Sequence, residues 1–168
     1  MKKIMRKTPG LLVVFAAVVV LGPAEAKPKP CKRCYCSVSA TNVNFGAYDT
    51  ISGLAVDSAG DVEVSCGTDT IGDVMSYSIE LSGAKKGASP RELKGPGRYR
   101  LDYNLYTDVT RTIIWGDGKG STATVTDSYT FISLCCETRN YTSYGRIDAA
   151  QIVAPGLYSD TIVVRVDF

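Results

Sequence analysis

Gly60-Asp-Val-Glu-Val-Ser-Cys66 is the stretch that decides the fold. Val62, Val64 and Cys66 point one way; Asp61, Glu63 and Ser65 point the other. That is the two-residue period of a strand with one face in a core. The same period recurs at Met75, Tyr77, Ile79 and Leu81, and again where Leu101, Tyr103 and Leu105 alternate with Asp102, Asn104 and Tyr106. Val38 and Ala40, then Val43 and Phe45, alternate with a change of phase between them. A phase change predicts a bulge or a strand that switches sheets. Thr112-Ile-Ile-Trp115 is a short apolar run, and Thr122 to Leu134 reads as strand with less regularity. No long amphipathic helix is legible. Turn signals at Asp57-Ser-Ala-Gly60, Gly83 to Gly87, Gly95-Pro-Gly97, Gly116-Asp-Gly-Lys-Gly120 and Pro155-Gly156 separate the runs. Short strands at this spacing predict an all-β sandwich or barrel.

The two ends differ in kind. Lys2, Lys3, Arg6 and Lys7 precede an apolar run from Leu11 to Leu21, and Ala24-Glu25-Ala26 follows. This is the layout of a signal peptide over residues 1–26, with cleavage before Lys27. The apolar run is too short to span a bilayer comfortably. The segment carries four of the 19 Lys and Arg and one of the 17 acids, so the remaining 142 residues have a net charge of −1. No basic surface for nucleic acid is implied. Residues 27–35 are Lys-, Pro- and Cys-rich, and Pro28 and Pro30 lack the N–H that a ladder needs. The last strand, Thr161 to Phe168, puts Ile162, Val164, Val166 and Phe168 on one apolar face.

The chain has no histidine. His-based acid–base catalysis, Ser-His-Asp and Cys-His pairs, and His-containing zinc sites are all excluded. No other catalytic constellation emerges, so no enzyme and no small-molecule substrate is expected. All six cysteines (Cys31, Cys34, Cys36, Cys66, Cys135 and Cys136) follow the predicted cut. In an exported chain they read as three disulfides, with 15 possible pairings. The spacing Cys31-x-x-Cys34-x-Cys36 also suits a thiolate metal site, but no second CxxC follows. No cofactor or metal is therefore expected.

An ordered series of short stretches resembles the spore coat protein U domain, which is shared with subunits of Csu-type archaic chaperone–usher pili. The stretches are Cys36 to Asp49, Gly60 to Cys66, Leu101 to Asp108, Trp115-Gly-Asp-Gly118, Tyr144-Gly-Arg-Ile147 and Gly156 to Thr161. Each is weak alone, but together, in the family's order, they are spread over nearly all of the mature chain. The resemblance implies an immunoglobulin-like β-sandwich that is incomplete, lacking its final strand. A periplasmic chaperone lends a strand during export through an outer-membrane usher. A neighbouring subunit's N-terminal extension then replaces it, by β-augmentation. The face of Ile162, Val164, Val166 and Phe168 inherits the edge that the chaperone pairs with. The resemblance also suggests a Cys36–Cys66 disulfide. That leaves Cys31, Cys34, Cys135 and Cys136 outside the usual pattern. The arrangement favoured for them pairs Cys31 and Cys34 with Cys135 and Cys136, because adjacent cysteines rarely bond each other.

One departure bears on function. Subunits that polymerise carry an N-terminal donor segment of alternating apolar residues, and residues 27–35 do not. The expectation is a secreted or cell-surface structural subunit, terminal or minor in a pilus, serving attachment or biofilm formation. Two alternatives are a surface coat protein that does not polymerise and a soluble carbohydrate-binding sandwich. Other features take ordinary readings. Gly116 to Gly120 is a tight turn, since it lacks the EF-hand ligand series and the P-loop ending. Trp115 is expected in the core, not stacked on a sugar. Lys85, Lys86, Arg91, Lys94, Arg98 and Arg100 are expected on a solvated loop or edge strand.

Overall fold

The computed structural model describes residues 31–82 and 90–168. The predicted signal peptide, residues 27–30 and the predicted Gly83–Gly87 turn lie outside the described residues. Among the described residues there are ten strands: β1 Tyr35–Ala40, β2 Val56–Gly67, β3 Val74–Ser82, β4 Arg91–Lys94, β5 Arg100–Tyr106, β6 Ile114–Trp115, β7 Thr122–Ala123, β8 Val125–Thr130, β9 Glu137–Ile147 and β10 Val163–Asp167. They form two sheets. The larger runs β1-β2-β9-β5-β6-β7 with β4 also paired to β5; the smaller runs β10-β3-β8. The molecule is all-β, an immunoglobulin-like sandwich.

The alternating residues face inward as their period requires. Val62, Val64 and Cys66 of β2, Met75, Tyr77, Ile79 and Leu81 of β3, and Leu101, Tyr103 and Leu105 of β5 are all at most 4 % exposed. Trp115 is fully buried and its indole N–H donates to the Ile79 carbonyl, tying β6 to β3. The residues after Trp115 close one side of the sandwich. Thr122 and Ala123 pair with β6, then Val125 to Thr130 pair with β3, so the chain switches sheets within a few residues. The Leu81 N–H donates to the Gly116 carbonyl across the same seam.

Two expectations from the turn and phase signals are corrected. Asp57-Ser-Ala-Gly60 is no turn: it is the start of β2, fully paired with β9. Gly60 serves a close approach instead. A Cβ there would stand 2.9 Å from the Thr41 carbonyl oxygen and 3.0 Å from the Val43 side chain. Gly145, on the neighbouring β9, leaves the same room for Phe45 and Val43. The phase change after Ala40 marks where the chain leaves the ladder. The Thr41 N–H still donates to the Asp61 carbonyl, but residues 41–49 then run without strand pairing. Val43 and Phe45 pack against the core over the two glycines.

The outer face of the large sheet carries a cross-strand ion pair. Arg146 on β9 grips Asp57 on β2 with two hydrogen bonds, 2.7 and 2.8 Å, and Arg111 approaches to 3.2 Å. The Arg146 hydrogen bonds, aided by the charges of Arg111 and Arg146, hold the Asp57 carboxyl below the usual carboxylate range. A depressed folded value gives stability that is present above the unfolded value of about 4 and is lost as pH falls through the folded one. Asp57→Asn should therefore lower the melting temperature at neutral pH. The gap to the unmodified chain should narrow below about pH 4. Thermal melts at several pH values check this; a gap that does not change with pH would refute it.

Candidate functional site

The side of the sandwich opposite the sheet switch is open. There β1 edges the large sheet and β10 edges the small one. Between them runs a cleft of about 910 Å³. One wall is the unpaired segment of Val43, Phe45 and Tyr48. The other is Tyr158, Ser159, Asp160, Ile162 and Val164. The floor is apolar: Leu81, Leu93, Leu101, Tyr103, Leu105 and Ile147. Among the described residues β10 pairs only with β3, so one edge of its backbone faces the cleft side unpaired. Val38 shows the same opening from the other sheet. Its register opposite Val64 turns it inward, yet it is 42 % exposed.

Polar contacts fix the walls. The Tyr48 hydroxyl donates to the Asp148 carbonyl and accepts from the Gln151 N–H, at 3.0 and 2.9 Å, which ties residues 41–49 to the chain after β9. The Tyr103 hydroxyl donates to Asp160 at 2.9 Å and holds the approach to β10. Burial, reinforced by that carboxylate, pushes the Tyr103 phenol up, so it stays a donor. Lys94 and Ser159 exchange backbone hydrogen bonds beside it. Among the described residues no group of three or more His, Cys, Asp or Glu is placed to hold a metal ion. What it can do is accept an extended segment: an unpaired strand edge supplies main-chain bonds, and an apolar floor receives alternate side chains.

The four residues assigned to the last-strand face divide. Ile162 and Val164 line the cleft. Val166 is half-buried against the core, and Phe168 is 62 % exposed just past the end of β10. Arg91 departs from the expected solvated face. It lies on β4 but is only 5 % exposed, and its Nη2 donates to the carbonyls of Leu81 and Trp115 at 2.9 and 2.7 Å. Burial pulls the Arg91 guanidinium down. Its charge gave no hint of this in the sequence, because a buried arginine on an edge strand looks like a solvated one.

The cysteines also divide. Cys36 and Cys66 are directly opposed in the β1–β2 register and are disulfide-bonded. The pairing of Cys31 and Cys34 with Cys135 and Cys136 is corrected: Cys31 is bonded to Cys34. The physical reason is local. Two bends at residues 32 and 33 turn Cys31 back, where its N–H donates to the Val74 carbonyl and its Sγ lies against Thr68 and Asp73. Cys34 packs against the core, whereas the next residue, Tyr35, points to the outer face and meets Cys136 there. The two pairs thus lie on opposite faces of β1. Cys135 and Cys136 are free and exposed.

Residues 28–165 match the model of the Spore Coat Protein U domain. The chain belongs to that family. Among curated relatives this Spore Coat Protein U domain chain is similar to "Protein U" of Myxococcus xanthus. The two are 28 % identical over 172 positions, covering 91 % of this chain and 92 % of the relative. Its fold is similar to a chain in the CsuC–CsuE chaperone–tip adhesion subunit pre-assembly complex from archaic chaperone–usher Csu pili of Acinetobacter baumannii. That match has a TM-score of 0.52 at 20 % identity and covers 81 % of this chain. This chain spans only 40 % of that solved chain's length.

Proposed function

We propose that this chain is an exported structural subunit of a chaperone–usher pilus or surface coat, completed by a strand from another protein. The cleft between residues 41–49 and β10 carries the reading, because an unpaired strand edge over an apolar floor fits an inserted strand and little else. A periplasmic chaperone would fill it first, an usher would conduct the exchange, and a neighbouring subunit's extension would replace the chaperone. Family membership supports this reading, as does a fold shared with a chain of a chaperone–subunit complex. Attachment or biofilm formation is the service such a subunit would give.

The subunit accepts a strand without giving one from its own domain. From Cys31 onward the chain is tied to its own body, by the Cys31–Val74 hydrogen bond, the Cys31–Cys34 loop and the pairing of β1 with β2. Residues 31–40 are therefore not free to serve as a donor strand. Co-expression of the full chain with a chaperone–usher-type periplasmic chaperone tests the reading. The expected result is a stoichiometric complex. Ile162→Asp and Val164→Asp should each weaken it by about tenfold or more, since each puts a charge into an apolar cleft. A well-folded chain that never binds the chaperone would sink the proposal.

A further inference from the structure

The cleft is apolar in its floor and acidic in its charge. Asp49, Asp61 and Asp160 line it, and no Lys or Arg does among the described residues. Asp49 and Asp61 are exposed, whereas Asp160 is half-buried where the chain enters the last strand. Its Oδ2 accepts from the Tyr103 hydroxyl at 2.9 Å, and its Oδ1 accepts from the Thr161 N–H at 2.8 Å. A carboxylate has room for about four such bonds. Among the described residues no Lys or Arg forms an ion pair with it. Arg91 stands opposite Tyr103 in the β4–β5 register and its charge attracts Asp160, but its Nη2 donates to the carbonyls of Leu81 and Trp115 instead.

This matters when the cleft closes. While it is open, Asp160 keeps part of its surface in water. A strand that covers Ile162 and Val164 reaches Asp160 and takes that water away. Drying a carboxylate is costly unless a cation or further donors replace the water. Ser143 adds a second unmet group. It is 4 % exposed, faces inward from β9 and lines the same cleft, and its hydroxyl has no partner. A wholly apolar occupant satisfies the floor and neither polar group.

We infer that the strand which finally fills the cleft carries a lysine or arginine where it meets Asp160, and that this ion pair helps to select it. The inference rests on the strand-insertion reading above and adds the chemistry of the partner. The occupant meant is the neighbouring subunit's extension, not the chaperone. The final occupant stays, so an unpaired carboxylate beneath it would cost stability for as long as the assembly lasts. The chaperone's strand must leave, and a poorer fit eases its release. The Tyr103 hydroxyl already fixes the carboxylate, so the pair forms with little further ordering on this side. In a strand running antiparallel to β10 the cation falls near the C-terminal end.

The test uses the full chain with a strand of alternating apolar residues fused behind Phe168 through a flexible linker, so that the strand runs back along β10. Lys, Gln or Glu is placed at each of its last four positions in turn, and the melting temperatures are compared. At one position Lys should raise the melting temperature by about 3 °C or more over Gln, and Glu should lower it. With Asp160→Asn, which keeps an oxygen for the Tyr103 hydroxyl, the three should melt within about 1 °C of one another. If no version of the strand stabilises the chain, the insertion reading fails and this inference falls with it. If the apolar strand stabilises the chain but Lys never exceeds Gln, the insertion reading stands and this inference alone is overturned. A Lys advantage that survives Asp160→Asn would overturn it equally, since the cation would then have another partner.

Discussion

A strand of alternating apolar residues, fused behind Phe168 through a flexible linker, raises the melting temperature of the chain by about 10 °C or more. The fused strand doubles back along the unpaired edge of β10 and lays its apolar side chains over Leu81, Leu101, Tyr103 and Ile147. About four such side chains gain roughly 6–12 kcal/mol gross, at about 1.5–3 kcal/mol each. Ordering the strand consumes much of this. A surplus of about a third of the mid-range gain, near 3 kcal/mol, already gives a shift of about 10 °C at about 2–4 °C per kcal/mol. Val38, turned inward yet 42 % exposed, would be covered in the process. A control strand with serine at the alternating positions should give little of the effect, because its backbone can pair but its side chains cannot fill the floor. An unchanged and already high melting temperature would mean that the sandwich is complete by itself. The coat or binding-module readings would then replace strand exchange.

What could be read from the sequence was the part with strict period two. Val62 to Cys66, Met75 to Leu81 and Leu101 to Leu105 each have one face in the core, and alternation reports one-sided burial directly. The cleft was harder to read. Val43 and Phe45 alternate like a strand, yet residues 41–49 have no ladder partner; their burial comes from lying across Gly60 and Gly145. Periodicity cannot tell a paired strand from an extended segment packed on glycines. Gly60 misled in the other direction: a glycine kept for a close approach looks in sequence like a glycine kept for a turn. Arg91 was missed because burial of a charge depends on carbonyls supplied by Leu81 and Trp115, from distant parts of the chain. The Cys31–Cys34 bond was missed because its cause is two bends and a contact with Val74, neither of which spacing encodes.

Removing the Cys36–Cys66 bond should be among the most damaging small changes to the sandwich. The disulfide closes a sequence separation of 30 and joins an edge strand to its only neighbour among the described residues. In the chain-entropy account a loop of this size is worth about 3.5 kcal/mol. Cys66 is fully buried, so Cys36→Ala with Cys66→Ala also leaves a small void. The melting temperature should fall by about 10 °C. The damage should not be spread evenly. β1 exposes Val38 and Ala40 on its inner side, so little apolar burial holds it once the sulfur bridge is gone. Residues 41–49 continue from β1 and form a wall of the cleft. The variant should therefore lose its fused-strand stabilisation along with its intrinsic stability, and its amides from Tyr35 to Ala40 should exchange fastest in the ladder. Hydrogen exchange and paired melts with and without the fused strand check both. If β1 stayed protected and the fused strand stabilised the variant as fully as the parent, the bridge would be dispensable to the cleft. The wall would then be held by Tyr48 and its contacts with Asp148 and Gln151 alone.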